Sequence, residues 1–382
     1  MCSVAKSFIL IIIGRVITGF ASGICCGVAP TYCIQISTPK IRGLLGTGFQ
    51  IFVTIGIVYV DLFGLALGWR WLCIIGLIPA VIMSIGMIFM PESPSWLMNK
   101  YGRSSQVVSA LRRLRTDDSD IEGELKELQD RAEKSKAESS GFSMAAFKRP
   151  DVYKPFIIAN VLMFCQQFSG INAVLFNMNS IFEASGSSMD PMVATCIVNS
   201  AMVAATISGG LIIDRLGRKI LLIASGVGHV VTLGVLGYYY YADSAGMGWL
   251  PVVCLVVFVV SFSIGFGPIP WMIVAEITPG FAMGVVSACG TAFNWLCAFI
   301  VTKQFEAIQK GLNKYGAFWM FAGISAGSVL FTVLFVPETK GRSLEEMQRI
   351  FRGEKVGVDV GPHDMSGEKK EKYSINKDVT TV

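Results

Sequence analysis

Charged residues are scarce in this chain, and histidine is scarcer still. Of its 382 residues, 15% are charged, 53% are hydrophobic and 2 are histidine. Soluble domains carry about 25% charged residues, so the composition argues against a soluble globular protein. The net charge of +5 is modest and does not indicate a nucleic-acid partner.

Patterns of covalent or metal chemistry are also missing. His229 and His363 are far apart in the sequence, and no two carboxylates share an apolar run. No glycine-rich phosphate loop follows a strand pattern. Most cysteines fall in apolar runs without metal-ligand spacing, which indicates small hydrophobic side chains. We therefore expect no enzyme, no metal and no cofactor. The first apolar run is too long for a cleavable signal peptide, and none is expected.

Long apolar runs are what the chain has in abundance. A helix needs about 20 apolar residues to cross a bilayer. The sequence predicts nine such spans, A to I, at residues 7–36, 43–65, 70–90, 155–184, 190–213, 219–241, 249–276, 282–304 and 315–336. We therefore predict an all-α polytopic protein that has the lipid bilayer as a partner. The sequence does not indicate an oligomeric state.

Polar segments divide these spans into groups. Lysine and arginine concentrate in the A–B, C–D and E–F connections and in the tail, which predicts that this face is cytoplasmic. Apolar residues at helical spacing between Val107 and Leu128 predict short amphipathic helices, with a solvated linker as the alternative. The predicted divisions are a three-helix partial bundle (1–90), a cytoplasmic helical linker (91–153), a six-helix bundle (154–336) and a cytoplasmic tail (337–382).

An internal repeat relates spans A–C to spans G–I. The sequence Pro91-Glu92-Ser93-Pro94 closes span C, and Pro337-Glu338-Thr339-Lys340 closes span I. Spans D–F have no counterpart nearer the N-terminus. Paired repeats with a site at the membrane midplane are one transporter plan, so we expect three further spans to precede this chain's first span.

Three amide side chains interrupt the apolar run of span D. They are Gln166, Gln167 and Asn172. Polar groups at membrane depth usually face a bundle interior or a watery cavity, and an amide both donates and accepts hydrogen bonds. This indicates a site for a neutral polyhydroxylated solute, with bonding between helices as the alternative. Ser169-Gly170 predicts a helix interruption that turns Asn172 towards the face of Gln166.

Six sequence patterns, in order, resemble the sugar porter family of the major facilitator superfamily. They are Gly14-Arg15, Pro91–Leu97, Gln166–Asn172, Gly210–Lys219, Gly267–Trp271 and Pro337–Arg342. The chain is most similar to insect facilitated trehalose transporter-like proteins and to glucose facilitators. The resemblance implies a major facilitator fold, with nine of the usual twelve helices in this chain.

The function that the resemblance implies is facilitated diffusion of a glucose- or trehalose-class sugar by alternating access. It also implies a multi-pass protein of the plasma membrane that works without a cofactor. Three alternatives remain open: a truncated product that does not transport, a sugar sensor, and a proton-coupled sugar symporter.

The resemblance also implies which residues bind and gate. Amides in apolar runs would contact the sugar, and tryptophan rings would stack on its C–H faces; helix packing or a lipid interface is the alternative for each. The sugar-binding residues are Gln50, Gln166, Gln167, Asn172, Asn199, Trp271, Asn294 and Trp295. The cytoplasmic gate residues are Arg42, Asp214, Arg215, Arg218 and Glu276.

Several positions depart from the family pattern. Gln35 and Met283 replace an expected acid and an expected arginine, which predicts a weakened cytoplasmic gate and a bias towards inward-facing states. Phe176 and Asn177 replace two tyrosines that help to close the outer gate. Asp61, near the outer end of span B, is expected at the membrane interface.

Overall fold

Every regular element is helical in the part of the chain that the computed structural model describes. The described residues are 2–38, 42–116, 120–138, 147–183, 189–242, 247–342 and 344–354. The α-helices are α1 (Phe8–Ile36), α2 (Arg42–Gly64), α3 (Trp69–Ile75), α4 (Leu77–Ile88), α5 (Pro94–Tyr101), α6 (Ser105–Leu114), α7 (Ile121–Glu138), α8 (Pro150–Phe168), α9 (Ile171–Phe176), α10 (Met178–Glu183), α11 (Pro191–Leu216), α12 (Arg218–Tyr241), α13 (Leu250–Ile264), α14 (Ile269–Ile277), α15 (Gly280–Phe335) and α16 (Leu344–Arg352).

The predicted spans coincide with apolar helices. Among the described residues, 7 helical stretches are long and apolar enough to cross a membrane, and α2 adds a shorter apolar helix. The last stretch, α15, has 56 residues and is interrupted at Asn313, which has φ 61° and ψ 170°. This interruption separates the residues predicted as span H from those predicted as span I. Apolar helices therefore lie at the positions predicted for spans A to I.

The predicted end of span H, at residue 304, is wrong because the helix continues beyond it. Residues 305–312 continue the helix beyond the predicted end of span H. Gln304, Glu306, Ala307 and Lys310 are good helix formers, and helices need not end at the membrane surface. Phe305 also faces inward, with 1% of its surface exposed, so packing favours the extra helical turns.

The apolar stretches that contain α8–α9 and α13–α14 are each interrupted by a turn that packs closely against a neighbouring helix. Between α8 and α9, Gly170 adopts φ 86°, a left-handed conformation that suits glycine. A Cβ at this position would lie 2.9 Å from Cγ of Phe321. The interruption predicted at Ser169-Gly170 is confirmed. Between α13 and α14, a Cβ on Gly265 would lie 2.6 Å from the carbonyl oxygen of Leu221, so this turn packs directly against α12.

The main core lies among helices α8 to α16. Its largest fully buried side chains include Phe182, Phe258, Phe266, Phe318 and Phe321. A separate small core joins α5, α6 and α7, where Val107, Leu111 and Leu125 are fully buried. The predicted amphipathic helices of residues 91–153 are thus confirmed. The domain boundaries themselves stay a prediction.

The helices nearest the N-terminus present apolar surface outward. On α1, α3 and α4, side chains such as Phe20, Trp71 and Ile88 are more than half exposed. Such faces suit lipid or neighbouring helices in a membrane. Helix α2 differs because it packs against α11, which brings the first and second parts of the chain together.

Candidate functional site

Four amide side chains form a continuous hydrogen-bonded chain inside the helical core. Asn172 Nδ2 donates to Gln167 Oε1 at 2.6 Å, and Gln167 Nε2 donates to Asn294 Oδ1 at 2.9 Å. Asn294 Nδ2 in turn donates to Gln166 Oε1 at 2.7 Å. Gln166, Gln167 and Asn294 are buried, whereas Asn172 is partly exposed. We call these four residues the amide chain.

The amide chain ends on backbone carbonyls that a helix interruption leaves available. Gln166 Nε2 donates to the carbonyl oxygens of Phe266, at 2.7 Å, and Gly267, at 3.0 Å. Both residues lie between α13 and α14, outside the regular helical hydrogen bonding, so their carbonyls need other partners. The interruption of one apolar stretch therefore fixes the orientation of a side chain on another.

This geometry limits what the amide chain can do chemically. It holds amide groups and contains no ionisable side chain, so it suits a neutral polar ligand better than an ion. Each amide offers two N–H donors and two acceptor lone pairs, and Gln167 uses one donor and one lone pair within the chain. The sequence predicts that Asn172 turns towards the face of Gln166. In the structure, the Asn172 side chain donates its hydrogen bond to Gln167 instead.

The other predicted binding residues lie outside the amide chain. Gln50 is half-buried on α2. Trp271 is partly buried and packs against a small apolar cluster that includes Met163, Val274 and Val286. Trp295 follows Asn294 directly but is 49% exposed. The structure thus brings together four of the eight predicted residues.

Asn199 bonds to an acid on another helix. Its Nδ2 donates to Oδ2 of Asp61 at 2.6 Å, which links α11 to α2. Sequence reasoning expected Asp61 at the membrane interface and missed this partner. The available signal was the acid itself, because an ionisable residue inside an apolar helix marks a functional or paired position.

Three of the five predicted gate residues, Arg215, Arg218 and Glu276, lie near the start of α12. Arg218 contacts Oε1 of Glu276 through Nη2 at 3.0 Å and Nε at 3.2 Å. Thr339 Oγ1 donates to the other carboxylate oxygen of Glu276. Arg215 is exposed, and its backbone carbonyl accepts from Lys340 Nζ at 2.6 Å. The side chains of Arg42 and Asp214 lie outside the described residues.

Glu338 is a second acid beside Arg218, and the sequence analysis did not predict it as a gate residue although it lies in the Pro337–Arg342 pattern. Its carboxylate accepts from the backbone N–H groups of Arg218, at 3.0 Å, and Lys219, at 3.1 Å. Burial alone would raise the pKa of Glu338, but the backbone N–H groups of Lys340, Arg218 and Lys219 lower it below its usual value. Gly217, with φ 92°, leaves room, since a Cβ there would lie 2.7 Å from Glu338 Oε2.

The sequence matches a known protein family over most of its length. A family model described as "Sugar (and other) transporter" matches residues 1–351. A facilitated trehalose transporter homologue of Drosophila sechellia is 40% identical over 355 residues, which are 91% of this chain and 72% of the relative. A facilitated trehalose transporter of Anopheles gambiae is 39% identical over 349 residues, 90% of this chain and 44% of the relative.

Solved structures give a matching result. The proton:xylose symporter XylE bound to 6-bromo-6-deoxy-D-glucose aligns with a TM-score of 0.71 at 26% identity, covering 84% of this chain and 70% of XylE. The inward-open xylose transporter XylE of E. coli aligns with a TM-score of 0.65 at 25% identity, covering 84% and 68%. Both alignments show that the chain shares the fold of these transporters.

Proposed function

Because the chain belongs to the sugar transporter family of multi-pass membrane proteins with the major facilitator fold, we propose that it carries a sugar by facilitated diffusion. The proposed cargo is a sugar of the glucose or trehalose class, and the proposed location is the plasma membrane. The names of the insect relatives support the cargo class. Transport would proceed by alternating access around a site near the membrane midplane.

The observation that carries the proposal is the amide chain. Its four members come from α8, α9 and α15 and hold one another in fixed orientations. A sugar hydroxyl that binds there meets donors and acceptors already in place, so little side-chain ordering is needed on binding. Bonding between helices and sugar binding are therefore compatible roles for the same amides.

The interrupted helices support the alternating movement. The Gly170 interruption lies within four residues of Gln166 in sequence, and the α13–α14 interruption supplies the carbonyls that Gln166 contacts. Short segments that absorb backbone rotation commonly serve as hinges. We propose that α9 and α14 tilt at these points while α8 and α13 stay packed.

The cluster at the start of α12 is the proposed cytoplasmic gate. Glu276 and Glu338 bind the side chain and the backbone of Arg218, respectively. Arg42, Asp214 and Arg215 complete this gate by family resemblance. The Arg218–Glu276 ion pair is partly buried, with 12% and 28% of the two side chains exposed, and it is one of the contacts that would break in each transport cycle. Gln50, Asn199, Trp271 and Trp295 are further proposed sugar contacts.

A proton-coupled symporter is the second candidate. The names of the solved relatives favour it, since XylE is described as a proton:xylose symporter. The absence of an ionisable group from the amide chain favours facilitated diffusion instead. Sugar uptake into vesicles with and without an inward proton gradient separates the two: equal uptake supports the facilitator, and gradient-driven accumulation supports the symporter.

The test of the main proposal is sugar binding and uptake by vesicles that contain the purified chain. Labelled glucose and trehalose are compared for wild type, Gln166→Leu and Asn294→Leu. Gln166→Leu removes one hydrogen bond within the amide chain and two to backbone carbonyls, and Asn294→Leu removes two within the chain, so we expect affinity to fall about tenfold or more. Asn160→Leu is the matched control, because Asn160 lies on the same helix and bonds to the Phe156 carbonyl.

The outcomes separate the competing functions. Equal affinity in the variants and in wild type would refute a sugar site at the amide chain. Binding without uptake would instead support a sensor or a product that does not transport. Absence of both from wild-type vesicles would reject the proposed function.

A further inference from the structure

Asp61 is an acidic residue inside an apolar helix, and its side chain meets a different part of the bundle. Oδ2 of Asp61 on α2 accepts a hydrogen bond from Asn199 Nδ2 on α11 at 2.6 Å. The two helices approach closely, since a Cβ on Gly64 would lie 2.7 Å from Cε of Met192. A carboxylate that is partly withdrawn from water is favourable only when it is hydrogen-bonded, and the Asn199 amide supplies such a bond.

The Asp61 carboxylate determines the orientation of the Asn199 amide group. An ionised carboxylate only accepts hydrogen bonds, so it attracts the NH₂ end of the amide and repels the carbonyl end. The carbonyl oxygen Oδ1 must then point away from Asp61. Without Asp61, the amide would be free to rotate by half a turn.

The Asn199 carbonyl has no partner within the described residues. Asn199 is 3% exposed, and its Oδ1 is buried without a hydrogen-bond donor. A buried acceptor of this kind is unfavourable until a donor reaches it. A sugar hydroxyl is a suitable donor, and it is neutral, so it adds no charge beside Asp61.

A neighbouring contact between α11 and α10 provides a comparison with a purely structural role. Thr195 lies one turn before Asn199, and its hydroxyl donates to Asn179 Oδ1 on α10 at 2.6 Å. That hydroxyl also lies 2.9 Å from the Pro191 carbonyl. This pair joins two helices in the same way but leaves no buried oxygen of Thr195 unpaired.

We propose that Asp61 is a positioning residue for the sugar. It holds the Asn199 amide so that the carbonyl is presented to one hydroxyl of the bound sugar. Because the partners lie on α2 and α11, this contact is complete only while those two helices stay together. The inference rests on the proposed function and assigns Asp61 a role within it.

The test measures equilibrium glucose binding and uptake for the full chain in vesicles. Asn199→Ala should weaken binding about fivefold, the effect of losing one hydrogen bond. Asp61→Leu should weaken it by a similar factor, and the double variant should lose no more than either single variant. Asp61→Asn keeps an oxygen that accepts from Asn199, so it should bind within about twofold of wild type. Asn179→Ala is the matched control and should bind like wild type.

A panel of monodeoxyglucoses gives a readout that a structural role would not change. In wild type, the analogue that lacks the hydroxyl facing Asn199 should bind about fivefold more weakly than glucose. This difference should disappear in both Asn199→Ala and Asp61→Leu. If Asp61→Leu inserts poorly, Asp61→Ala takes its place in the comparison.

Three results would overturn the inference: unchanged glucose binding in Asp61→Leu, additive losses in the double variant, or a lower maximal uptake rate with unchanged affinity and unchanged analogue selectivity. If wild type binds glucose while Asp61→Leu behaves like it, only the role of Asp61 fails. If wild type binds none of the sugars, the proposed function fails and this inference fails with it.

Discussion

The substitution Gly170→Ala should destabilise the protein because the structure opposes a side chain there in two ways. Gly170 has φ 86°, where an L-residue loses about 1–2 kcal/mol. The new methyl group would also lie 2.9 Å from Cγ of Phe321, which is fully buried. Overpacking of this kind costs about 1–3 kcal/mol. We therefore expect a total loss of about 2–5 kcal/mol from the free energy of unfolding.

The assay is thermal unfolding in detergent together with glucose binding. If the chain relieves the strain by straightening between α8 and α9, Asn172 moves away from Gln167, so affinity should fall along with Tm. Phe321→Leu in the same molecule makes room for the methyl group. The double variant should therefore recover about 1–3 kcal/mol relative to the sum of the two single losses. The strain at φ 86° should remain.

The control is Gly323→Ala, a helical glycine of α15 with open space around its Cβ position. It should leave Tm unchanged or raise it, since alanine favours a helix over glycine by about 1 kcal/mol. A Gly170→Ala variant as stable as wild type would refute the reasoning. Strictly additive losses in the double variant would refute the part that depends on Phe321.

Three further predictions concern the gate and the connection within α15. Glu338→Gln should lower Tm by about 2–4 °C at neutral pH. The folded-state pKa of Glu338 lies below its usual value of 4.5. The Glu338 carboxylate therefore stabilises the folded protein fully above that value, and this stabilisation is lost as the pH falls through the folded-state pKa. A Tm difference between wild type and Glu338→Gln that persisted below the folded-state pKa would contradict this reasoning. Gln35→Glu combined with Met283→Arg should strengthen the cytoplasmic gate, and labelling by an impermeant reagent should show greater outward accessibility; unchanged labelling would reject the hypothesis. Asn313→Gly should raise Tm, since φ 61° with ψ 170° favours glycine by about 1 kcal/mol or more, and a lower Tm would argue against that backbone strain.

Properties that are local in the sequence could be predicted. The apolar runs are long enough to mark each membrane span, and Ser169-Gly170 marks the interruption of span D without knowledge of any neighbour. The amides Gln166 and Gln167 stand out because their own run is apolar. In each case the signal lies within about one helix length of the feature it predicts.

Pairings between distant residues could not be predicted in the same way. Asn294 lies 127 positions from Gln167, and a lone amide in an apolar run gives no indication of its partner. Asp61 and Asn199 are 138 positions apart. The role of Glu338 depends on the start of α12, 120 positions earlier. Such contacts follow from how the helices pack, and apolar periodicity alone does not determine that packing.

Helix α16 has a mechanical consequence for the amide chain. Its last residue, Arg352, binds Asp151 at 2.8 Å, and the Phe351 carbonyl accepts from Lys154 at 2.8 Å. Both partners lie in the first two turns of α8. A helical segment about 18–23 Å long therefore joins these contacts to Gln166 further along the same helix. Because α16 is joined to the start of α8 and Gln166 lies further along α8, we expect a displacement of α16 to move the helix that carries Gln166.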